Sequence, residues 1–235
     1  VITPLHAATQ NVIGIGLAMP GVVDGNGLVK RSTLLGWRNV DVRTPIERRF
    51  SLPVTVNNDA TAAMFTERLF GKGGPNMMFV RLRRGVGGAV LLGDVPVFGE
   101  NHAGGEIGHI SLDPQGPPCA CGKRGCLERL VSATSLHARL QRSDERMRAS
   151  ILRAAGTYLG TALSMLVGLL ALADVCVYGQ SDIVNDTLLS AAQAQLDLLT
   201  GSSFHTRTII RRCECEGEIT LRGEALSVLD RCGIP

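Results

Sequence analysis

The stretch HISLDPQGPPCACGKRGCLE, residues 109–128, decides how this chain is read. It offers one imidazole, His109, and three thiols, Cys119, Cys121 and Cys126. That is the ligand count of a closed tetrahedral zinc site. Gly122 and Gly125 stand inside the Cys121–Cys126 loop, where glycine lets the backbone turn sharply enough for three sulfurs to face one ion. Chance clustering of buried thiols and a disulfide are the competing accounts. Seven cysteines is an odd number and no targeting segment is visible, which weighs against an oxidised framework. A nucleic-acid zinc module would also be cysteine-rich. Only Lys123, Arg124 and Arg129 are basic nearby, and no aromatic residues are interleaved for base stacking.

Outward from this run, two acids flank the proposed ligands. Glu106 lies three residues before His109, in GEIGH (105–109), and Glu128 two residues after Cys126. Solvated surface charge is the simple account of both. A pocket for a polar ligand is the other. The 235 residues and an apolar content of 45% provide for one large domain or two lobes. A net charge of +3 gives no ground for nucleic-acid binding by this segment. The most apolar stretch, Leu159 to Ala173, is short for a membrane span, which needs roughly 20 residues, and reads as a core helix. A cytoplasmic protein is expected.

Strand and helix patterns alternate, which predicts an α/β class. Strands are expected over Asn11–Met19, Pro53–Val56, Met77–Leu82, Ala89–Leu92, Asp174–Tyr178 and Thr206–Arg211. Arg83 to Gly88 reads as a tight turn between two strands. Helices are expected over Ala60–Phe70, from Asp144 to about Leu172 in two pieces around Gly156 and Gly160, over Asp182–Leu199, and over Gly223–Leu229. Thr44-Pro45-Ile46-Glu47 reads as a helix start with Thr44 as cap and Glu47 completing a capping box. Asn58 and Asp59 then fall where a strand ends and a helix begins, the edge at which α/β folds bind ligands. Asp59 is read either as a plain N-cap or as a carboxylate that accepts from, or takes a proton from, a ligand hydroxyl. Cys176, Cys213, Cys215 and Cys232 read as free thiols, and Cys213-x-Cys215 has no nearby cysteine or histidine in the sequence to complete a second metal site.

Five matches together resemble the ROK family (repressors, open reading frames and sugar kinases). They are Pro20-Gly21-Val22-Val23-Asp24, Gly36-Trp37, Asn58-Asp59-Ala60, the GEIGH run and the Cys119–Glu128 signature. The resemblance is dense from Val12 to about Ser132 and loose thereafter. It implies an actin-like, hexokinase-like ATPase fold of ribonuclease H-like lobes with a zinc knuckle. On that fold residues 1–58 are the remainder of an N-terminal lobe whose first strands are missing. Residues 59–235 are then the C-terminal lobe, with the zinc loop at 109–128. It also implies structural zinc on His109, Cys119, Cys121 and Cys126, and sugar contacts from Asn58, Asp59, Glu106, His109 and Glu128, with Thr33 lining the same pocket. In the family's kinases Asp59 matches the general base.

The chain departs from the kinases in its phosphate loops. The family's first phosphate motif, Asp-x-Gly-x-Thr, does not occur in the sequence. The second, Gly-Thr-Gly-x-Gly-Gly-Gly, is degenerate here: Arg83 and Arg84 replace the small Gly-Thr pair, ahead of Gly85, Gly87 and Gly88. A later Gly-Gly is replaced by Tyr178-Gly179-Gln180. The expected function is therefore the sugar-sensing effector part of a ROK transcriptional regulator, not an enzyme, binding a hexose or N-acetylhexosamine. The expected state is a homodimer or dimer of dimers that meets DNA only through a separate N-terminal domain. The alternative is a sugar kinase, glucokinase-like or N-acetylmannosamine kinase-like, using ATP and Mg2+.

Overall fold

The computed structural model describes residues 12–201, 204 and 206–234. Two parallel strands, β1 (Ile15–Met19) and β5 (Val54–Asn58), form one small sheet, paired from Ile15↔Val54 to Met19↔Asn58. Between them in sequence lie β2 (Val22–Val23), β3 (Leu28–Ser32) and β4 (Trp37–Asp41), an antiparallel three-stranded sheet, and helix α1 (Arg43–Phe50). Their shared core is built on Ile15, Val23, Val29, Val54 and Val56. Helix α2 (Asp59–Phe70) follows β5 directly.

The larger sheet has the order β10-β9-β6-β7-β8. It contains β6 (Met77–Leu82), β7 (Val86–Leu92), β8 (Val95–Pro96), β9 (Asp174–Gly179) and β10 (Ile209–Arg212). β6 and β7 are an antiparallel hairpin, as the glycine-rich turn predicts, while β9 runs parallel to both β6 and β10. Alternate residues of β6 serve two cores. Met78, Val80 and Leu82 pack with Leu159 and Leu163 of the long helix α5 (Glu145–Leu170). Met77 and Phe79 pack with Ala60, Ala63 and Met64 of α2. Two short helices, α3 (Leu127–Val131) and α4 (Ala133–Leu140), follow the cysteine loop. Helix α6 (Asp186–Thr200) packs on α5, and α7 (Ile219–Arg231) lies across α2 and β1.

Several local expectations are corrected. Helix α5 is continuous through Gly156 and Gly160. A Cβ at either position would collide with the carbonyl oxygen of Leu188 or Ala192 in α6, so these glycines are the contact point of two helices. The length and composition of α5 would suit a membrane span, yet its buried stripe from Ile151 to Val167 faces protein. Thr44 is not the cap of α1: Asp41 Oδ1 accepts its N–H at 3.0 Å, and Glu47 pairs with Arg43 at 2.8 Å instead of closing a capping box. Helix α6 begins at Asp186, capped by Asn185, because residues 182–185 form turns. β10 starts at Ile209 and α7 already at Ile219. Residue 11 of the first expected strand lies outside the described residues.

Helix α7 also brings a buried acid against the small sheet. Glu224, 2% exposed, accepts from Asn57 Nδ2 at 3.2 Å and Thr55 Oγ1 at 3.3 Å through Oε2, while Oε1 has no partner among the described residues. Burial pushes its carboxyl up to about 7, against the opposing pull of those two hydrogen bonds. A raised folded-state pKa means that the neutral form is favoured on folding. Its stabilising contribution is complete below the ordinary glutamate value and is lost as pH rises towards 7. Glu224→Gln should therefore raise stability above pH 7 by up to about 3 kcal/mol and change little near pH 4. Urea unfolding at the two pH values checks this, and an equal gain at both would contradict it.

Candidate functional site

The cysteine loop closes as its glycines require. Gly125 adopts φ 59, and any side chain there would strike the Asp113 carbonyl. The Gly125 N–H donates to Pro117 O, its carbonyl accepts from Leu112 N–H, and Cys119 N–H donates to Lys123 O. The fold so formed gathers all four predicted donors. His109 Nδ1 lies 3.6 Å from Cys119 Sγ, and Cys121 Sγ lies 3.6 Å from Cys126 Sγ. All four donor atoms lie within 4.8 Å of one another. A tetrahedron with metal–sulfur bonds of about 2.3 Å has edges of about 3.8 Å, so the cluster is dimensioned to hold one ion. Burial, then the neighbouring thiols of Cys121 and Cys119, push the Cys126 thiol up to about 12. Three thiolates share this space only around a cation.

The second nitrogen of His109 turns the other way, with Nε2 3.8 Å from Glu106 Oε2. Glu106 is the hub of an acidic group. Its carboxyl is raised by burial and by the charges of Asp59 and Glu128, against the lowering effect of His109. Glu128 Oε2 accepts the Val86 N–H at 3.2 Å, just after the Arg83–Gly85 turn. Asp59 stands at the start of α2. The cap of that helix is Asn58, not Asp59: Asn58 Oδ1 accepts from Ala60 N and Thr61 N, while Nδ2 donates to Gly21 O at 2.9 Å. With the cap supplied by its neighbour, the Asp59 carboxylate is left to other work.

That work includes an ion pair which the sequence reading missed. Arg81 Nη1 lies 2.8 Å from Asp59 Oδ2. Burial raises the Asp59 carboxyl and Arg81 opposes the rise. The available signal was a cation at an α2-facing position of an otherwise apolar strand, Met77 to Leu82. A cavity of about 800 Å³ adjoins the group, lined among others by Asn58, Thr61, Gly104, Glu106, His102 and Asp24. Asp59, His109 and Glu128 cluster around Glu106 outside that lining, and Thr33 sits apart on the exposed turn between β3 and β4.

The fold also supplies the partner that Cys213-x-Cys215 lacked in sequence. Cys176 from β9 and Glu67 from α2 meet Cys213 within the same 4.8 Å limit. Glu67 is fully buried and accepts from Arg211 Nη1 at 2.6 Å, Cys213 Sγ at 3.1 Å and Cys215 N at 3.1 Å. Burial opposes its ionisation, but these donors outweigh it and its carboxyl is lowered. Each partner there is hydrogen-bonded, as a structural hub requires.

The ROK family profile matches residues 1–169. The chain belongs to the ROK family. It is 39% identical over 135 residues to a glucokinase of Halalkalibacterium halodurans, covering 56% of this chain and 41% of that protein. It is 31% identical over 148 residues to the xylose repressor of Bacillus subtilis, covering 62% of this chain and 38% of that protein. The chain thus spans about two fifths of the curated relatives that it matches. Its fold superimposes on a ROK glucokinase from Streptomyces griseus, solved with glucose and AMPPNP, with a TM-score of 0.82 at 22% identity, covering 94% of this chain and 83% of that one. The expected α/β, hexokinase-type fold is thereby borne out, and glucokinases and xylose repressors are both among the relatives.

An ion held by this cluster should be lost when one sulfur is removed. Cys126→Ala is expected to take bound metal from about one ion per chain to none, and to destabilise the chain by a few kcal/mol. Elemental analysis with thermal unfolding measures both, and undiminished metal content in the variant would contradict the assignment.

Proposed function

We propose that this chain is the sugar-sensing part of a ROK-type transcriptional regulator. The sugar is a hexose or N-acetylhexosamine bound among Asn58, Asp59, Glu106, His109 and Glu128. Zinc on His109 Nδ1, Cys119, Cys121 and Cys126 is a structural brace. It fixes the tautomer of His109 and presents Nε2 to Glu106 and the sugar. Carboxylates that accept from ring hydroxyls discriminate strongly between isomers, because a missing hydroxyl leaves a buried group unpaired. Residues 1–58 and 59–235 form the two lobes, and the sugar biases the hinge between them, a movement that a separate DNA-binding domain reads. The whole protein works in the cytoplasm as a homodimer or dimer of dimers.

The observation that carries this reading is the Arg81–Asp59 contact at 2.8 Å. One Asp59 oxygen is thereby engaged by a guanidinium and is less open to a ligand hydroxyl that a general base would have to reach, although burial raises the carboxyl overall. Arg83 and Arg84 moreover stand where the kinases' phosphate loop has Gly-Thr. The 39% identity to a glucokinase favours a second reading, a sugar kinase in which Asp59 deprotonates the acceptor hydroxyl and Mg-ATP supplies the phosphoryl group.

The two readings separate in one experiment on the full-length protein. Hexoses and N-acetylhexosamines are screened by thermal unfolding and, with Mg-ATP, for phosphorylated product. One sugar at a hundredfold excess over its Kd should raise the melting temperature by roughly 5–10 °C, with no product formed. ATP-dependent phosphorylation of any of these sugars would overturn the regulator reading.

A further inference from the structure

We infer that the chain carries a second metal site, made by Cys176, Cys213 and Glu67, which takes a thiophilic divalent cation of the zinc–cadmium class. It is separate from the 109–128 loop and independent of the sugar reading. The three residues come from three places in the fold: Glu67 from α2, Cys176 from β9 and Cys213 from the segment that joins β10 to α7. Their donor atoms lie within 4.8 Å of one another, in the core between α2 and the large sheet. With metal–sulfur bonds of about 2.3 Å and metal–oxygen bonds of about 2.1 Å, a tetrahedral ion sets edges of about 3.5–3.8 Å. Cys213 Sγ stands 3.1 Å from Glu67 Oε2 and 3.4 Å from the Cys215 carbonyl oxygen, which offers a neutral fourth corner. Small side-chain shifts therefore admit the ion.

The carboxylate is held as a metal ligand is held. Arg211 Nη1 and the Lys72 N–H donate to Oε1, and the N–H groups of Glu214 and Cys215 donate to Oε2. Gly71 makes room for it, since a side chain there would strike the Glu67 carboxylate. Outer contacts of this kind fix the direction of a ligating group. Anchoring Glu67 needs no sulfur beyond Cys213, yet Cys176 places a second one, fully buried, at the same point.

Charge also suits a divalent ion. Arg211 bridges Glu67 at 2.6 Å and Asp174 at 2.8 Å, so the hub without metal sets two carboxylates against one guanidinium. Binding exchanges two thiol protons for one divalent cation, which leaves that net charge unchanged. Two sulfurs select against Mg2+ and Ca2+, which take oxygen ligands. Cys213 and Cys215, each 7% exposed, are the way in, and the bond from the Cys213 thiol to Glu67 completes the hub when no cation is supplied. The chain therefore folds without this ion, and the site fills when a soft cation is in excess. Once filled, it ties α2, β9 and the approach to α7 at one point.

The test loads the full chain, kept reduced, with excess Cd2+, removes unbound ion by gel filtration and counts cadmium per chain by elemental analysis. The wild type should hold one ion more than Cys176→Ala and one more than Cys213→Ala, with circular dichroism confirming that both variants are folded. Cys126→Ala, loaded in the same way, should lose the ion of the 109–128 loop and keep this one. Cadmium NMR of the wild type keeps the test decisive where a variant does not fold. It should show a resonance at the lower frequency of a mixed sulfur–oxygen site, beside that of the sulfur-rich loop. Equal cadmium counts in the wild type and the folded variants, or no mixed sulfur–oxygen resonance in the wild type, overturn the site and leave the three residues a purely hydrogen-bonded hub.

Discussion

Three neighbouring carboxylates repel one another, and what surrounds Asp59, Glu106 and Glu128 is an answer to that repulsion. Glu106 feels both of the other acids, and its carboxyl is raised by burial and by their charge. Three devices offset the cost. Arg81 pairs with Asp59, the Val86 N–H donates to Glu128, and His109 turns Nε2 toward Glu106. His109 can do so only because Nδ1 is committed to the sulfur cluster. The cysteine loop and the acidic pocket are thus one electrostatic arrangement, and the loop's glycines matter to the pocket through the position of a single ring.

This arrangement explains why regulator and kinase are so close on this scaffold. A sugar needs acceptors and donors fixed at the right places, and on the proposed reading the acids with His109 would provide them without any phosphate chemistry. Phosphoryl transfer needs in addition a base free to take a proton and a backbone that approaches the transferred group closely. Arg81 occupies one oxygen of Asp59 and two bulky cations, Arg83 and Arg84, stand in the turn, while the donors of the cysteine loop remain together.

The sequence made the metal loop and the strand–helix edge at Asn58-Asp59 legible, because both are local: ligand spacing and period changes are properties of adjacent residues. The β6–β7 hairpin was equally readable from its alternation and its glycines. What remained hidden was decided across the fold. Gly156 and Gly160 look like helix breaks until α6 is seen against them. Asp59 looks like a cap until Asn58 is seen to supply two acceptor contacts. Arg81 looks like surface charge until its register on β6 places it on the α2 side, and Cys176 is far in sequence from the Cys213 that it meets. Thr33, expected in the pocket, lies on an exposed turn. Except for Asn58, which adjoins Asp59, the deciding partner is more than about a turn of helix away in sequence, beyond the reach of pattern reading.

The central claim is that the acids around Glu106 bind a sugar without turning it over. Isothermal titration calorimetry of the full-length protein with candidate sugars in the absence of nucleotide tests it most directly. A saturable heat in the wild type, abolished in both Asp59→Asn and Glu106→Gln, is the predicted result. A sugar whose binding heat is the same in the wild type and in both variants would contradict it.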